Sequence, residues 1–247
     1  MPDDLAVAEG GAPLSQVERV VDTFVAPSKT FMDVRRSASW WMPYIILVLV
    51  SWALAFGISQ KVGWPQLVEN TIRENPKTAD QLASAPPDRA AMTRKFMEMS
   101  FKVPFYASPI TTGIFLAIFA VILWPTINFG FGGKASFGQV FCVLTYASLI
   151  STLKTILAIV VLYVGKTGET FTMDNMAGTS PGYFIDTPGA LKTLLTSFDI
   201  FTIWMLIVLG IGLSIVAHTK RNAGLITVFG WFLLVVLIKT AYAAVTS

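Results

Sequence analysis

Five stretches of the chain are apolar for long enough to cross a bilayer, and polar or glycine-rich segments separate them. A spanning helix needs about 20 apolar residues to cover about 30 Å of hydrocarbon. The first stretch, 40–59 (WWMPYIILVLVSWALAFGIS), contains no charge. Trp40, Trp41 and Tyr44 stand at one end and Trp64 lies beyond the other, the pattern of an interfacial aromatic belt. The second, 108–128, starts with Pro109 in its first turn, and Pro125 is expected to bend or end it. The third, 137–165, follows the glycine-rich link 130–136. At about 1.5 Å per residue it is roughly 43 Å long and must tilt or protrude. The fourth and fifth, 200–217 and 223–245, are parted only by His218-Thr219-Lys220-Arg221-Asn222, so they form a tight antiparallel hairpin.

Between these spans the periodicity becomes amphipathic. Residues 1–13 are small, polar and rich in Gly and Pro, and read as disordered. Over 14–39, Val17, Val20, Val21, Phe24 and Val25 recur at helical spacing, and Phe31 and Val34 do so after Pro27. Thr30 with Asp33 fits a capping box for the second of two helices. Ending on Arg35 and Arg36, the pair is too charged to span, and it reads as lying on the cytoplasmic surface of the membrane. In the long connector 61–107, Pro65 starts a short helix carrying Leu67, Val68 and Ile72. A further helix over 88–103 aligns Met92, Phe96 and Met99 as an amphipathic cover over the bundle or the headgroups. The connector 166–198 is turn-rich, punctuated by Gly178, Pro181, Gly182, Pro188 and Gly189, with a short helix over 190–196.

Composition agrees. Of 247 residues, 54% are hydrophobic and 13% charged, where soluble domains carry about 25% charge. A formal charge of +3 without a dense basic block argues against a nucleic-acid footprint. One cysteine, Cys142, and one histidine, His218, build neither a disulfide framework nor a zinc site. The start carries Asp3, Asp4 and Glu9 ahead of any apolar run, unlike a cleavable signal peptide. Basic residues near span ends, namely Lys29, Arg35, Arg36, Lys134, Lys220 and Arg221, favour a cytoplasmic N-terminus, although the first long connector is also basic.

Two lysines interrupt apolar helices, and intramembrane charges are functional candidates. At 100° per residue, Ala147, Ser148, Ser151, Thr152, Lys154, Thr155 and Ala158 share one stripe of the third span, expected to face the bundle interior. Leu149, Ile150, Leu153, Ile156, Leu157 and Val160 lie opposite, expected to face lipid or larger neighbours. Ser148, Ser151, Thr152, Lys154 and Thr155 form the candidate intramembrane polar site, for an anion or headgroup; the alternative is a snorkelling, structural Lys154. Lys239 lies roughly 9 Å from the end of its span, and Asp199, opening the fourth span on that side, is expected to pair with it. Gly210 and Ser214 form a small-xxx-small helix contact.

Three segments carry a family resemblance: VVDTFVAPSKTFMDV (20–34), GGKASFGQVFCVLTYASLI (132–150) and SFDIFTIWMLIVLGIGLS (197–214), the last with Asp199, Phe201, Trp204 and Gly212. Together with the layout they resemble the Yip domain family, particularly its prokaryotic members. The proline that often follows the tyrosine entering the third span is missing after Tyr146, and so is the N-terminal signature of eukaryotic members. The resemblance implies a non-enzymatic membrane protein with a cytoplasmic N-terminus. In eukaryotic relatives the role is vesicle trafficking with small GTPases.

The expected fold is therefore all-α, a polytopic bundle of five transmembrane helices over 40–247 with amphipathic interfacial helices. The expected role is membrane organisation or an adaptor function in a bacterial plasma membrane; the alternative is a small-molecule or lipid permease using the stripe around Lys154. Partners are membrane lipids, other proteins or further copies of the chain, with no nucleic acid. No Ser/His, Asp/Asp or metal-ligand arrangement falls at span depth, so neither catalysis nor a cofactor or metal is expected.

Overall fold

The computed structural model describes residues 12–165, 168–173, 176–185 and 189–246. Most of the 1–13 segment and the Pro188 turn lie outside the described residues. Those described are helical or irregular, with no strand among them. In chain order the helices are α1 (Gln16–Val25), α2 (Pro27–Arg36), α3 (Trp41–Lys61), α4 (Trp64–Glu74), α5 (Pro76–Ser84) and α6 (Pro87–Tyr106). They continue with α7 (Ser108–Phe131), α8 (Phe137–Val164), α9 (Ala190–Ser197), α10 (Ile200–Val216) and α11 (Arg221–Thr246). Helices α3, α7, α8 and α11 are each long and apolar enough to cross a membrane. Helix α10 has 17 residues, about 26 Å of rise, which is short of the hydrocarbon thickness. With α9, bent from it by 52°, it is long and apolar enough to count as a fifth crossing only if the pair is one broken span rather than a re-entrant loop.

The chain divides into two compact units. One is drawn from Met1–Leu47, Thr112–Ser151 and Phe201–Leu234. Its core gathers Phe31 and Val34 of α2 with Ile127, Val140, Val143, Tyr146, Ile150 and Leu213. α1 begins with a capping box: the Ser15 N–H donates to Glu18 at 2.7 Å, and the Glu18 N–H donates to the Ser15 hydroxyl at 3.2 Å. The Ser15 backbone N–H first, and then the Ser15 hydroxyl, hold the Glu18 carboxyl below its ordinary pKa. The box expected at Thr30 and Asp33 does not exist. Pro27 already occupies the first turn of α2, so both residues fall inside the helix and are buried. Only part of the apolar face of α1 turns inward: Val20 and Phe24 pack on the core, while Val17, Val21 and Val25 are 59%, 53% and 74% exposed.

Pro125 does not end α7, which runs on to Phe131. The return into α8 is fastened instead by Asn128, whose side chain accepts from the Ala135 N–H at 2.9 Å and donates to its carbonyl at 2.8 Å. Trp124 donates to the same carbonyl. Leu149 and Ile150, on the outward stripe, are buried against protein in the core, because α8 is enclosed nearly all round over 142–150. The α10–α11 hairpin closes on glycine. A Cβ at Gly224 would lie 2.0 Å from the Gly210 carbonyl oxygen and 2.9 Å from the Ser214 nitrogen, so the small pair on α10 is a backbone-to-backbone contact.

The other unit comprises Val48–Thr111, Thr152–Ile200 and Val235–Ser247. Leu54, Ile58, Leu67, Ala158, Leu162 and Phe171 form its main core. Trp64 is buried in that core beside Phe105 rather than standing at the interface. Along α4, Leu67, Val68 and Ile72 face inward as their spacing requires. On α6, Met97, Phe101 and Phe105 pack inward, while Met92, Phe96 and Met99 are exposed. Of the two coverings expected for that methionine row, bundle or headgroups, the bundle is not the one. On α8, Ile156, Leu157 and Val160 are exposed and Ala158 is buried, as expected.

Candidate functional site

Two polar centres stand out in this apolar frame, one in each unit. The first clamps the N-terminal helix pair. Arg19 of α1 and Asp33 of α2 are both buried, and the guanidinium Nε donates to Asp33 at 2.6 Å. Arg19 Nη1 donates to the Ser37 carbonyl at 2.9 Å. The backbone carbonyl of Arg19 accepts from both the Thr23 and Thr30 hydroxyls, at 2.7 and 3.0 Å. Tyr146 of α8, fully buried, donates its hydroxyl to the Gln16 side chain at 3.1 Å. A buried charge is tolerable only when paired and hydrogen-bonded. Here the pair ties two short helices, each too short to be stable alone, into one rigid piece. Sequence reasoning misses this centre. Its available signal is the row Gln16, Arg19, Thr23, one α-helical face carrying hydrogen-bonding groups that need partners.

The second centre is built around Asp199, the residue immediately before α10. Its side chain is 3% exposed, and Lys154 Nζ of α8, 25% exposed, lies 3.1 Å from its Oδ2. Thr179 donates its hydroxyl to the same oxygen, and the Ile200 N–H donates to the Thr179 carbonyl at 3.4 Å. The carboxylate expected to meet Lys239 thus meets the other lysine, and Lys239 is exposed with no salt bridge to Asp199 among the described residues. Register explains the exchange. The Lys134 N–H donates to the Ala217 carbonyl at 3.0 Å, fixing the start of α8 beside the end of α10. Lys154 lies about 17 residues along α8 from its start, and Asp199 about as far back along α10, so the two arrive level.

The remaining members of the candidate polar site are dispersed in role. Ser148 back-bonds to the Leu144 carbonyl at 2.8 Å and Ser151 donates to the Met205 sulfur at 3.2 Å. Thr152 is buried and Thr155 half-buried. Lys154 is joined to the buried Asp199 carboxylate.

Several long apolar helices, glycine-closed hairpin packing and charges held mostly in the links and connecting helices define an integral, multi-pass, all-α membrane protein. The model of the Yip1 domain family matches residues 21–241, and the chain belongs to that family. It is 25% identical over 205 residues to "Membrane protein YknW" of Bacillus subtilis (strain 168), covering 82% of this chain and 80% of that protein. No solved structure matches it.

Proposed function

We propose that this chain is a non-enzymatic membrane-organising protein of a bacterial plasma membrane, acting through its N-terminal helix pair on the cytoplasmic face. One observation carries the reading: Val17, Val21 and Val25 form an exposed apolar row on α1, while another face of that helix is clamped to α2 by the buried Arg19–Asp33 pair. Residues spaced by four lie on one face of a helix. Burying a valine is worth about 1.5–3 kcal/mol, so three offer several kcal/mol to an acyl boundary. Embedding a rigid, shallow wedge about 15 Å long in one leaflet expands that leaflet and bends the bilayer.

The occupant of this row is lipid. Gln139 donates to the Arg35 carbonyl, which sets the end of α2 beside the start of α8, where Lys134, Lys220 and Arg221 also cluster near the Lys134–Ala217 bond. That basic collar suits an anionic cytoplasmic leaflet and a cytoplasmic N-terminus. A permease built on Lys154 is less well supported, since the charge an anion would require is already neutralised by Asp199.

The test is Val21→Trp protein reconstituted into vesicles with brominated acyl chains, together with a Val17/Val21/Val25→Ser variant examined for vesicle tubulation. Val21→Trp introduces a tryptophan besides the native ones, so its quenching is read as the difference from unsubstituted protein. Additional quenching, and tubulation by wild type that the serine variant loses, are expected. A difference signal untouched by bromine would place the row against water or protein and overturn the reading.

A further inference from the structure

The link between α7 and α8 and the link between α10 and α11 meet at a recess; the proposed function counts its Lys134 in the basic collar but gives the recess itself no occupant. Gly132, Lys134, Ala217 and His218 line it, with a volume of about 360 Å³, inside the range of about 300–1,000 Å³ typical of small-molecule sites. The Lys134 N–H bonded to the Ala217 carbonyl holds the two links together. A Cβ at Gly133 would come 2.9 Å from the Ala217 Cβ, so the approach is close.

His218 is the informative residue. It sits at φ 56°, the non-glycine residue with positive φ among those described. The Thr219 N–H returns to the Ser214 carbonyl at 3.0 Å and the His218 N–H to the Ile215 carbonyl at 3.3 Å. This pair of bonds is the Schellman ending of a helix, and the left-handed residue it requires is usually glycine, because any Cβ is disfavoured there. Backbone strain of this kind points toward a use for the side chain. The imidazole is exposed beside Lys134, also exposed, and Lys220 and Arg221 follow directly.

The sequence has no Asp or Glu between Glu98 and Glu169 and none after Asp199. Among the described residues neither Lys134 nor His218 forms a salt bridge. The N-terminus of α11, 26 residues long and starting at Arg221, adds the positive end of its dipole. Depth is marked by aromatic residues: Phe129 is 81% exposed, and Phe131 and Phe137 are also exposed on either side of the link. Exposed apolar rings flanking a cationic link in sequence suit a site at the edge of the hydrocarbon.

We propose that this recess binds the phosphate of an anionic lipid headgroup, with Lys134 and His218 as its two side-chain ligands. Basic pockets between spanning helices suit such headgroups, and the exposed phenylalanines flanking the link would receive the acyl chains. The residues are distinct from the valine row of α1, so this site and the membrane-organising reading stand or fall separately.

The experiment uses the full chain in detergent, titrated with phosphatidylglycerol, cardiolipin or phosphatidylcholine and read by native mass spectrometry, with glycerol phosphate as the soluble arm. Wild type should retain the anionic lipids over phosphatidylcholine and hold glycerol phosphate more weakly. Lys134→Gln should lower retention about fivefold. His218→Gly should lower it while the melting temperature stays level or rises, because glycine relieves the left-handed position. Equal retention of anionic and zwitterionic lipids, or unchanged retention in both variants, would overturn the site. Glycerol phosphate bound as tightly as the lipids would overturn the lipid assignment.

Discussion

At the scale of single residues, the chain fixes itself with charges placed where an apolar periodicity conceals them. Arg19 and Asp33 are separated by the Pro27 break, and neither is unusual in sequence; their meeting needs α1 and α2 to fold back on each other. That geometry depends on where α2 starts. Pro27 fixes the start, and a start placed at Thr30 turns Asp33 from a buried ligand into a cap. Phe31 and Val34 are legible as core because apolar spacing is indifferent to a shifted start. Asp33 is not, because its role is set by one tertiary partner. Removing one member of a buried pair costs about 3–5 kcal/mol, whereas exchanging both for apolar groups of similar volume is often neutral. Arg19→Ala or Asp33→Ala should therefore release the helix pair and expose residues 16–36 to limited proteolysis in detergent. Arg19→Met combined with Asp33→Leu should restore most of the resistance. Single variants as resistant as wild type would show that the helix pair is anchored by its apolar contacts alone.

At the scale of elements, hydropathy locates the long helices to within a few residues because an unbroken oily run of that length has one favourable solvent. It is weaker wherever facing matters. The apolar positions of α1 split, with Val20 and Phe24 turned to the core and Val17, Val21 and Val25 turned away from it. Those of α6 split likewise, and Met92, Phe96 and Met99 take the outward side. Helical spacing identifies an apolar face but not whether protein or lipid covers it. Asp199 is misassigned for a related reason. Depth counted from the end of α11 makes Lys239 its neighbour, but the partner is decided by the register of α8 against α10, and that favours Lys154. Lys154→Met should cost about 3 kcal/mol, at the low end for a broken buried pair because the lysine is partly exposed. Adding Asp199→Asn should recover much of the loss, and Lys239→Met alone should change little. Unfolding midpoints in detergent measure all three. A larger loss from Lys239→Met than from Lys154→Met would reverse the register.

For the whole molecule, the expectation of five crossings rests on one backbone hydrogen bond and two lengths. The Lys134 N–H bonded to the Ala217 carbonyl puts the α7–α8 link and the α10–α11 link on the same side of the membrane. Helix α8 carries the chain away from that side over 28 residues, so the chain must return to it before Ala217. α10 provides about 26 Å of that return, and α9, bent by 52°, lies at its far end. A break leaves backbone groups to be satisfied, and at the bend the Ile200 N–H is taken by the Thr179 carbonyl, beside the Asp199, Thr179 and Lys154 side-chain cluster. If α9 and α10 form one crossing, the count is five and the two ends of the bundle face opposite sides, which labelling tests. Cysteines introduced at Gly130 and Lys220, both exposed, should react with a membrane-impermeant thiol reagent only from the cytoplasmic side. Cysteines at Lys77 and Val245, likewise exposed, should react only from the other. The native Cys142 is buried and should contribute little background. Labelling of Gly130→Cys and Lys220→Cys from opposite sides would mean that α10 does not cross; labelling of Gly130→Cys and Val245→Cys from the same side would leave an even number of spans.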